Sequence, residues 1–261
     1  MKWQAPRLPS MTEYHQFSEV AMLLKLLPLL SIISFLFTSQ AAHTEELEPE
    51  RKPEQEQEQE QGQGQIEDLD DPTALSSFLG IRTGTKGYGA IAQFGFNSPD
   101  SALGHNSFIQ FKDDFETLHL RHFSIYKQSG TGLFVDMQRN NANAIPVNRA
   151  SIGAIQIIPL SDKLRINPAL LYGETWTDDK QARKMLFPDT SIVTLYTFIR
   201  WQVADDWFVN LVPQYTYSVK GRKIRLFELV TQLGHNITKE TSMAINTDED
   251  DNFWLTLKHA F

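Results

Sequence analysis

Two sets of residues in this chain could do chemistry. The first is His122-Phe-Ser124, an imidazole and a hydroxyl two positions apart. In an extended strand residues i and i+2 share a face, so His122 and Ser124 stand side by side. A serine next to an imidazole that can take its proton is the basis of acyl transfer to serine. An acid commonly orients that imidazole, yet none stands on the same face here, because Asp136 on the following strand points the other way. A His-x-Ser inside a strand is usually just strand, so no enzyme is expected, and His122 and Ser124 stand only as the candidates for an alternative hydrolase reading.

The second set is dispersed. Arg82, Lys112, Arg121, Arg165, Arg200 and Lys258, with the acids Asp136 and Glu228, each sit on the polar side of an alternating run. Gln93, Gln110, His119 and Gln138 occupy equivalent positions, as do Asn167, Asn210 and Gln232. Gathered inside a closed sheet, this set has more cations than anions, and positive side chains in a low-dielectric wall attract anions. That predicts a narrow, weakly anion-preferring pore. The competing reading is a network of Arg with Asp and Glu that fills a small barrel.

Composition removes other chemistries. There is no cysteine, which excludes disulfides, thiol catalysis, Cys-ligated metals and lipid attachment through cysteine. Seven scattered histidines without ligand spacing make no metal site, and no cofactor is expected. Gly84-Thr-Lys-Gly87 lacks the flanks of a phosphate loop and reads as a surface turn, while Gly104-His-Asn-Ser107 and Gly234-His235 read as turn or strand-end residues. The net charge is −8, with most of the acid in one segment, and the remainder has no basic cluster, so nucleic acid is not an expected partner.

The elements that must position these residues are strands. Across residues 207–219, Trp207, Val209, Leu211, Pro213, Tyr215, Tyr217 and Val219 share one face, and Asn210, Gln214, Thr216 and Ser218 lie on the other with Phe208 and Val212. Residues 164–172 repeat the pattern, with Leu164, Ile166, Pro168, Leu170 and Tyr172 opposed to Arg165 and Asn167. Short turns are predicted at residues 127–130, 161–163, 204–206 and 237–240. Longer, more polar connections are predicted at 140–147, 177–189, 220–223 and 248–251 on the opposite side, the stretch 177–189 being the best candidate for a recognition loop. Upstream strands are expected over 115–125, 107–112, 88–96 and 75–82. The expected fold is all-β, an antiparallel up-and-down transmembrane β-barrel of about 12 strands, with 10 as the alternative. Trp201 and Trp207 flank one short turn, and Tyr172, Tyr215 and Tyr217 lie towards the other strand ends, as two interfacial aromatic girdles would.

Residues 22–42 carry Lys25, a short apolar run and small residues, the pattern of a secretory signal peptide cleaved after Ala41 or Ala42; 1–42 is therefore assigned as N-terminal extension and leader. Residues 43–72, rich in Glu and Gln, read as a disordered acidic linker whose partner is unknown, and 73–261 as the barrel.

In residues 252–261, Phe253, Leu255, Leu257, His259 and Phe261 share one face. This resembles the carboxy-terminal signature of bacterial outer-membrane β-barrel proteins, with His259 departing from the usual apolar residue. The resemblance implies recognition by the barrel-assembly machinery through Phe253, Leu255, Leu257 and Phe261, closure against the first strand, residence in the outer membrane of a Gram-negative bacterium with the linker in the periplasm, and contact with its lipids and lipopolysaccharide. Size and strand count look like solitary autotransporter-like barrels or small porins. Arg121-His-Phe-Ser124 resembles the His-x-Ser element of outer-membrane lipid A deacylases and phospholipases, although Ile125 replaces their usual Asn; that resemblance implies His122 as general base and Ser124 as nucleophile. Alternation alone does not say which face points inward, so a soluble periplasmic lipocalin-like binder is the remaining alternative.

Overall fold

The computed structural model describes residues 76–96, 101–185 and 187–261. The leader assigned to 1–42 and the linker assigned to 43–72 lie outside the described residues. The strands are β1 (Phe78–Gly84), β2 (Gly87–Phe96), β3 (Leu103–Lys112), β4 (Thr117–Tyr126), β5 (Thr131–Asn140), β6 (Val147–Gln156), β7 (Ile158–Pro159), β8 (Leu164–Trp176), β9 (Thr190–Gln202), β10 (Trp207–Lys220), β11 (Arg225–Asn236), β12 (Thr241–Thr247) and β13 (Phe253–Ala260). Every pairing is antiparallel. β7 is a two-residue segment that continues the β6 edge along the start of β8, so twelve staves build the wall among the described residues.

The sheet closes on itself. β13 pairs with β1 from Phe78↔Ala260 to Gly84↔Trp254, which leaves no free edge. One end of the barrel gathers short connections together with Phe261. The other carries the longer loops, including residues 177–189 with a short helix, α1 (Lys180–Met185). Asp179 starts that helix, its Oδ1 accepting from the amides of Gln181 (2.8 Å) and Ala182 (3.0 Å).

The direction of the alternation follows from exposure. Phe253, Leu255 and Leu257 are exposed, whereas Thr256, Lys258 and Ala260 between them are buried. On β8, Leu170 and Tyr172 are exposed while Asn167, Ala169 and Leu171 are buried. Apolar side chains thus coat the outside, while the inside holds the polar residues together with an apolar cluster that includes Ala169 and Leu171. That arrangement suits lipid, where every backbone polar group must be paired within the wall. A lipocalin-like binder would place its apolar face inside.

Two stretches differ from the sequence expectation. Gly104-His-Asn-Ser107, expected as turn or strand end, lies within β3, because pairing with β4 from Leu103↔Tyr126 onward outweighs the turn preference of glycine and asparagine. Phe115, expected to begin a strand, instead sits in the β3–β4 turn. Asp113, Asp114 and Phe115 all have positive φ (54°, 55° and 68°), which turns the chain before β4 starts at Thr117. The Gly84–Gly87 stretch is a tight hairpin turn; Gly87 has φ +92° and any Cβ there would run into the Asp114 carboxylate, so the position requires glycine.

Candidate functional site

Inside the barrel a polar cluster surrounds Asp136 on β5, which is fully buried. Its Oδ1 accepts from His119 Nε2 (2.6 Å) and Arg121 Nε (3.2 Å) on β4. Its Oδ2 accepts from Arg149 on β6 (3.1 Å) and the Tyr196 hydroxyl on β9 (3.0 Å). Donors from three other strands therefore converge on one carboxylate, and such a buried, multiply bonded acid fixes wall geometry. Arg149 also reaches Glu228 on β11 at 3.8 Å. β6 and β11 are not neighbours in the sheet, so this ion pair crosses the lumen.

Beside that cluster, on the wall that runs β4–β5–β6–β8–β9, part of the interior is filled by aromatic and aliphatic side chains. Phe123 stacks on Phe134 at 4.5 Å, Phe134 meets Tyr196 at 5.4 Å, and Tyr196 stacks on Phe198 at 5.7 Å, with Ile125, Ile155 and Leu171 packed around them. Sequence reasoning did not single out these residues or Arg149. The signal was present, because Phe123, Phe134 and Phe198 alternate in step with Arg121, Asp136 and Arg200.

The rest of the lumen holds a polar cavity. That cavity, of about 350 Å³, is lined from Lys86, Asp113, Asn140 and Asp248 at the loop end down to Asn210, Arg200 and Lys258 near the Phe261 end. Of the cations expected inside, Arg82, Lys112, Arg121, Arg200 and Lys258 line it, and Glu228 lines it as well. Several are held by aromatic faces: Arg82 lies over Trp254 (4.4 Å), Arg200 over Phe208 (3.7 Å) and Lys258 over Phe78 (4.9 Å). Arg165 pairs directly across from Arg200 in the β8–β9 register. Charge is layered along the axis. Asp113, Asp248, Glu249 and Asp250 stand at the mouth above the basic interior. Burial holds the Glu249 carboxyl above its usual value, as do Glu228 and Asp248 nearby, although its Oε2 accepts from the Leu229 amide at 2.9 Å.

On the outer wall, His122 and Ser124 do stand side by side, and β3 brings two further polar residues against them. His105 is the cross-strand partner of Ser124, and Ser107 that of His122. Three contacts link the four: Ser107 Oγ to His122 Nδ1 (2.9 Å), His122 Nε2 to Ser124 Oγ (3.0 Å), and Ser124 Oγ to His105 Nδ1 (2.9 Å). Asp136 stays on the opposite face. Because Gly104-His-Asn-Ser107 reads as a turn, the sequence hid two members of this cluster. Elsewhere on the outside, Trp201 and Trp207 flank the turn at residues 203–206, with Trp207 stacked on His235 (4.6 Å), and Tyr215 and Tyr217 are exposed neighbours (6.3 Å). Phe261 lies 73% exposed at the barrel end. Among the described residues no group of three or more His, Cys, Asp or Glu is placed to hold a metal.

No known family profile matches the chain, and no curated protein matches it in sequence. Solved structures with a similar fold include the NanC porin (9% identity, TM-score 0.48, covering 72% of this chain and 99% of that one) and the KdgM porin, solved in complex with disordered oligogalacturonate (11% identity, TM-score 0.46, 71% and 99%). The β domain of the Bordetella autotransporter BrkA is also similar (10% identity, TM-score 0.35, 71% and 96%).

Proposed function

We propose that this chain is an outer-membrane barrel of a Gram-negative bacterium whose lumen passes small solutes with a weak preference for anions, the Phe261 end facing the periplasm. The observation that carries the reading is the direction of the wall: leucines and aromatics coat the outside, while a polar cavity lined by Arg82, Lys112, Arg121, Arg200 and Lys258 runs most of the length of the inside. The aromatic fill against β4, β5 and β9 leaves only part of the section open, which supports a narrow, off-centre path. Below a mouth that carries Asp113, Asp248, Glu249 and Asp250, the basic residues of that path exceed its one acid, Glu228, and a positive wall concentrates anions.

The test is single-channel recording in planar bilayers with a salt gradient. The expected outcome is a small conductance whose reversal potential reports anion preference, and which loses that preference in the triple variant Arg121→Ala/Arg165→Ala/Arg200→Ala. Absence of conductance from an assembled barrel, or a reversal potential indifferent to those substitutions, overturns the reading.

A further inference from the structure

We propose that the loop end of this barrel docks on the loop end of a second copy of the chain, seated in a facing membrane. The inference rests on the reading that the Phe261 end faces the periplasm, which leaves the other end outside the cell. What carries it is the division of charge around that rim.

Six connections build the loop end, and around the sheet they follow the order β12–β13, β1–β2, β3–β4, β5–β6, β8–β9, β10–β11. The first three form an acidic sector. Asp248, Glu249, Asp250 and Asp251 fill one turn and Asp113, Asp114 and Glu116 another, against one cation, Lys86. The last two form a basic sector. Lys180, Arg183 and Lys184 lie in the β8–β9 loop and Arg222 and Lys223 in the β10–β11 turn, flanked by exposed Lys220 and Arg225. The acids of that sector are engaged within it or beside it: Asp179 caps α1, Asp189 pairs with Arg183, and Asp178 with Arg139 at 3.8 Å. Residues 141–146 between β5 and β6 carry no charge. The β8–β9 loop therefore stands across the rim from the β1–β2 hairpin, and the β10–β11 turn across from the β3–β4 turn.

Each sector is tied together. The Tyr88 amide donates to Asp114 Oδ1 (2.9 Å) and Lys86 Nζ lies 3.5 Å from Asp248, which joins the three acidic connections. The Arg222 amide donates to Thr190 Oγ1 (3.0 Å) and its guanidinium lies over Phe187 (4.5 Å), which joins the two basic ones. Two fixed patches of opposite sign result, and little ordering remains to be done on contact.

A two-fold axis lying between two facing rims turns one copy over and carries its acidic sector onto the partner's basic sector, so every acid–base contact is made twice. Single exposed ion pairs contribute little, and the contact draws on many together. Exposed apolar side chains add to it, Phe115 among the acids and Met185 and Leu226 in the basic sector. A lipid surface of one sign would satisfy one sector and repel the other; a second copy satisfies both.

The experiment places the full chain in vesicles of phosphatidylcholine, prepared in two colours, and reads clustering as two-colour coincidence. Conductance and the heat-dependent gel shift of a folded barrel are read on the same preparations. The unaltered chain is expected to cluster vesicles about tenfold or more above protein-free ones at low salt, and to lose that clustering at about 0.5 M salt. Glu116→Lys/Asp250→Lys weakens the acidic sector and Lys184→Glu/Lys223→Glu the basic one, and none of the four side chains ties its sector together. Each variant alone should cluster roughly fivefold less while keeping its gel shift. Mixed, they should cluster unlike vesicles more than like ones, because one intact acidic sector then meets one intact basic sector. A heat-shifting, conducting barrel that does not cluster vesicles overturns this inference and leaves the pore standing, as does clustering that survives both reversals or a mixture that regains nothing. Equal capture of protein-free phosphatidylglycerol vesicles assigns the basic sector to a lipid surface and overturns it as well. Clustering by a barrel without conductance overturns the pore alone, and a chain that gives no heat shift overturns both.

Discussion

Asp136 carries four donors because four groups from three other strands have nowhere better to go. Arg121 and Arg149 sit on inner faces where a lone guanidinium would be stranded, and the carboxylate between them satisfies both as well as His119 and Tyr196. Removing the acid takes from Arg121 and Arg149, both mostly buried, the carboxylate they share, and leaves Arg149 only the longer contact to Glu228 at 3.8 Å as an ion pair. Asp136→Ala is therefore expected to destabilise the barrel by about 3–5 kcal/mol, read as a lower urea midpoint for loss of the folded gel band. Parity along the strands placed Arg121 and Asp136 on one face from sequence alone. Arg149 escaped notice because Val147–Gln156 mixes small, polar and apolar residues on both faces, and only the tertiary register shows it reaching Glu228 across the lumen. The His105 and Ser107 partners of the outer cluster were hidden for a local reason: glycine and asparagine beside them signal a turn, and pairing with β4 overrides that preference.

At the scale of elements, the strands most legible in the sequence are those whose two faces differ most, β8, β10 and β13. Each keeps an apolar residue at nearly every second position along its outer face, and the short acidic turns before β8 and β10 mark their starts. Beginnings were harder at β3 and β4, where a Gly-His-Asn start and a phenylalanine in a turn of three positive-φ residues imitate the opposite assignments. β13 is the element on which closure depends, since its seven-residue register with β1 is the seam. Phe261, exposed just beyond that seam, donates its amide to the Ser77 carbonyl at 3.3 Å and contributes little burial to the finished barrel. Its deletion is therefore expected to reduce the yield of assembled protein in outer-membrane fractions strongly, while barrels refolded in detergent keep nearly the urea midpoint of the full chain. Equal loss in both assays would make Phe261 a stability residue rather than an assembly signal.

For the whole molecule, alternation fixed that there are two faces but not which one is inside, since a soluble barrel and a membrane barrel use the same period in opposite directions. The degree of filling was equally illegible: it depends on whether Phe123, Phe134, Tyr196 and Phe198 meet, and that is decided by shear and closure of the entire sheet. The layered charge gives the assembled barrel a pH response. Glu249 stands at the mouth with its carboxyl held above the usual value, so as pH falls it takes up a proton earlier than an ordinary glutamate and one negative charge leaves the entrance. Anion preference is expected to rise over that interval, read as a shift in reversal potential with pH, and Glu249→Gln should shift it already at neutral pH and flatten the dependence.

The staves are of unequal height. β8, β9 and β10 have 13, 13 and 14 residues, whereas β1 and β12, on either side of β13, have seven each. At ordinary strand rise and tilt, the short staves span only ~18 Å along the membrane normal, against ~35 Å for the tall ones. A hydrocarbon layer of about 30 Å cannot match both, and lipid yields more readily than a hydrogen-bonded wall. In the membrane proposed above, the bilayer is therefore expected to be dented on one flank, its two leaflets drawn together beside the seam, which leaves the barrel with a thin side and a thick side of lipid.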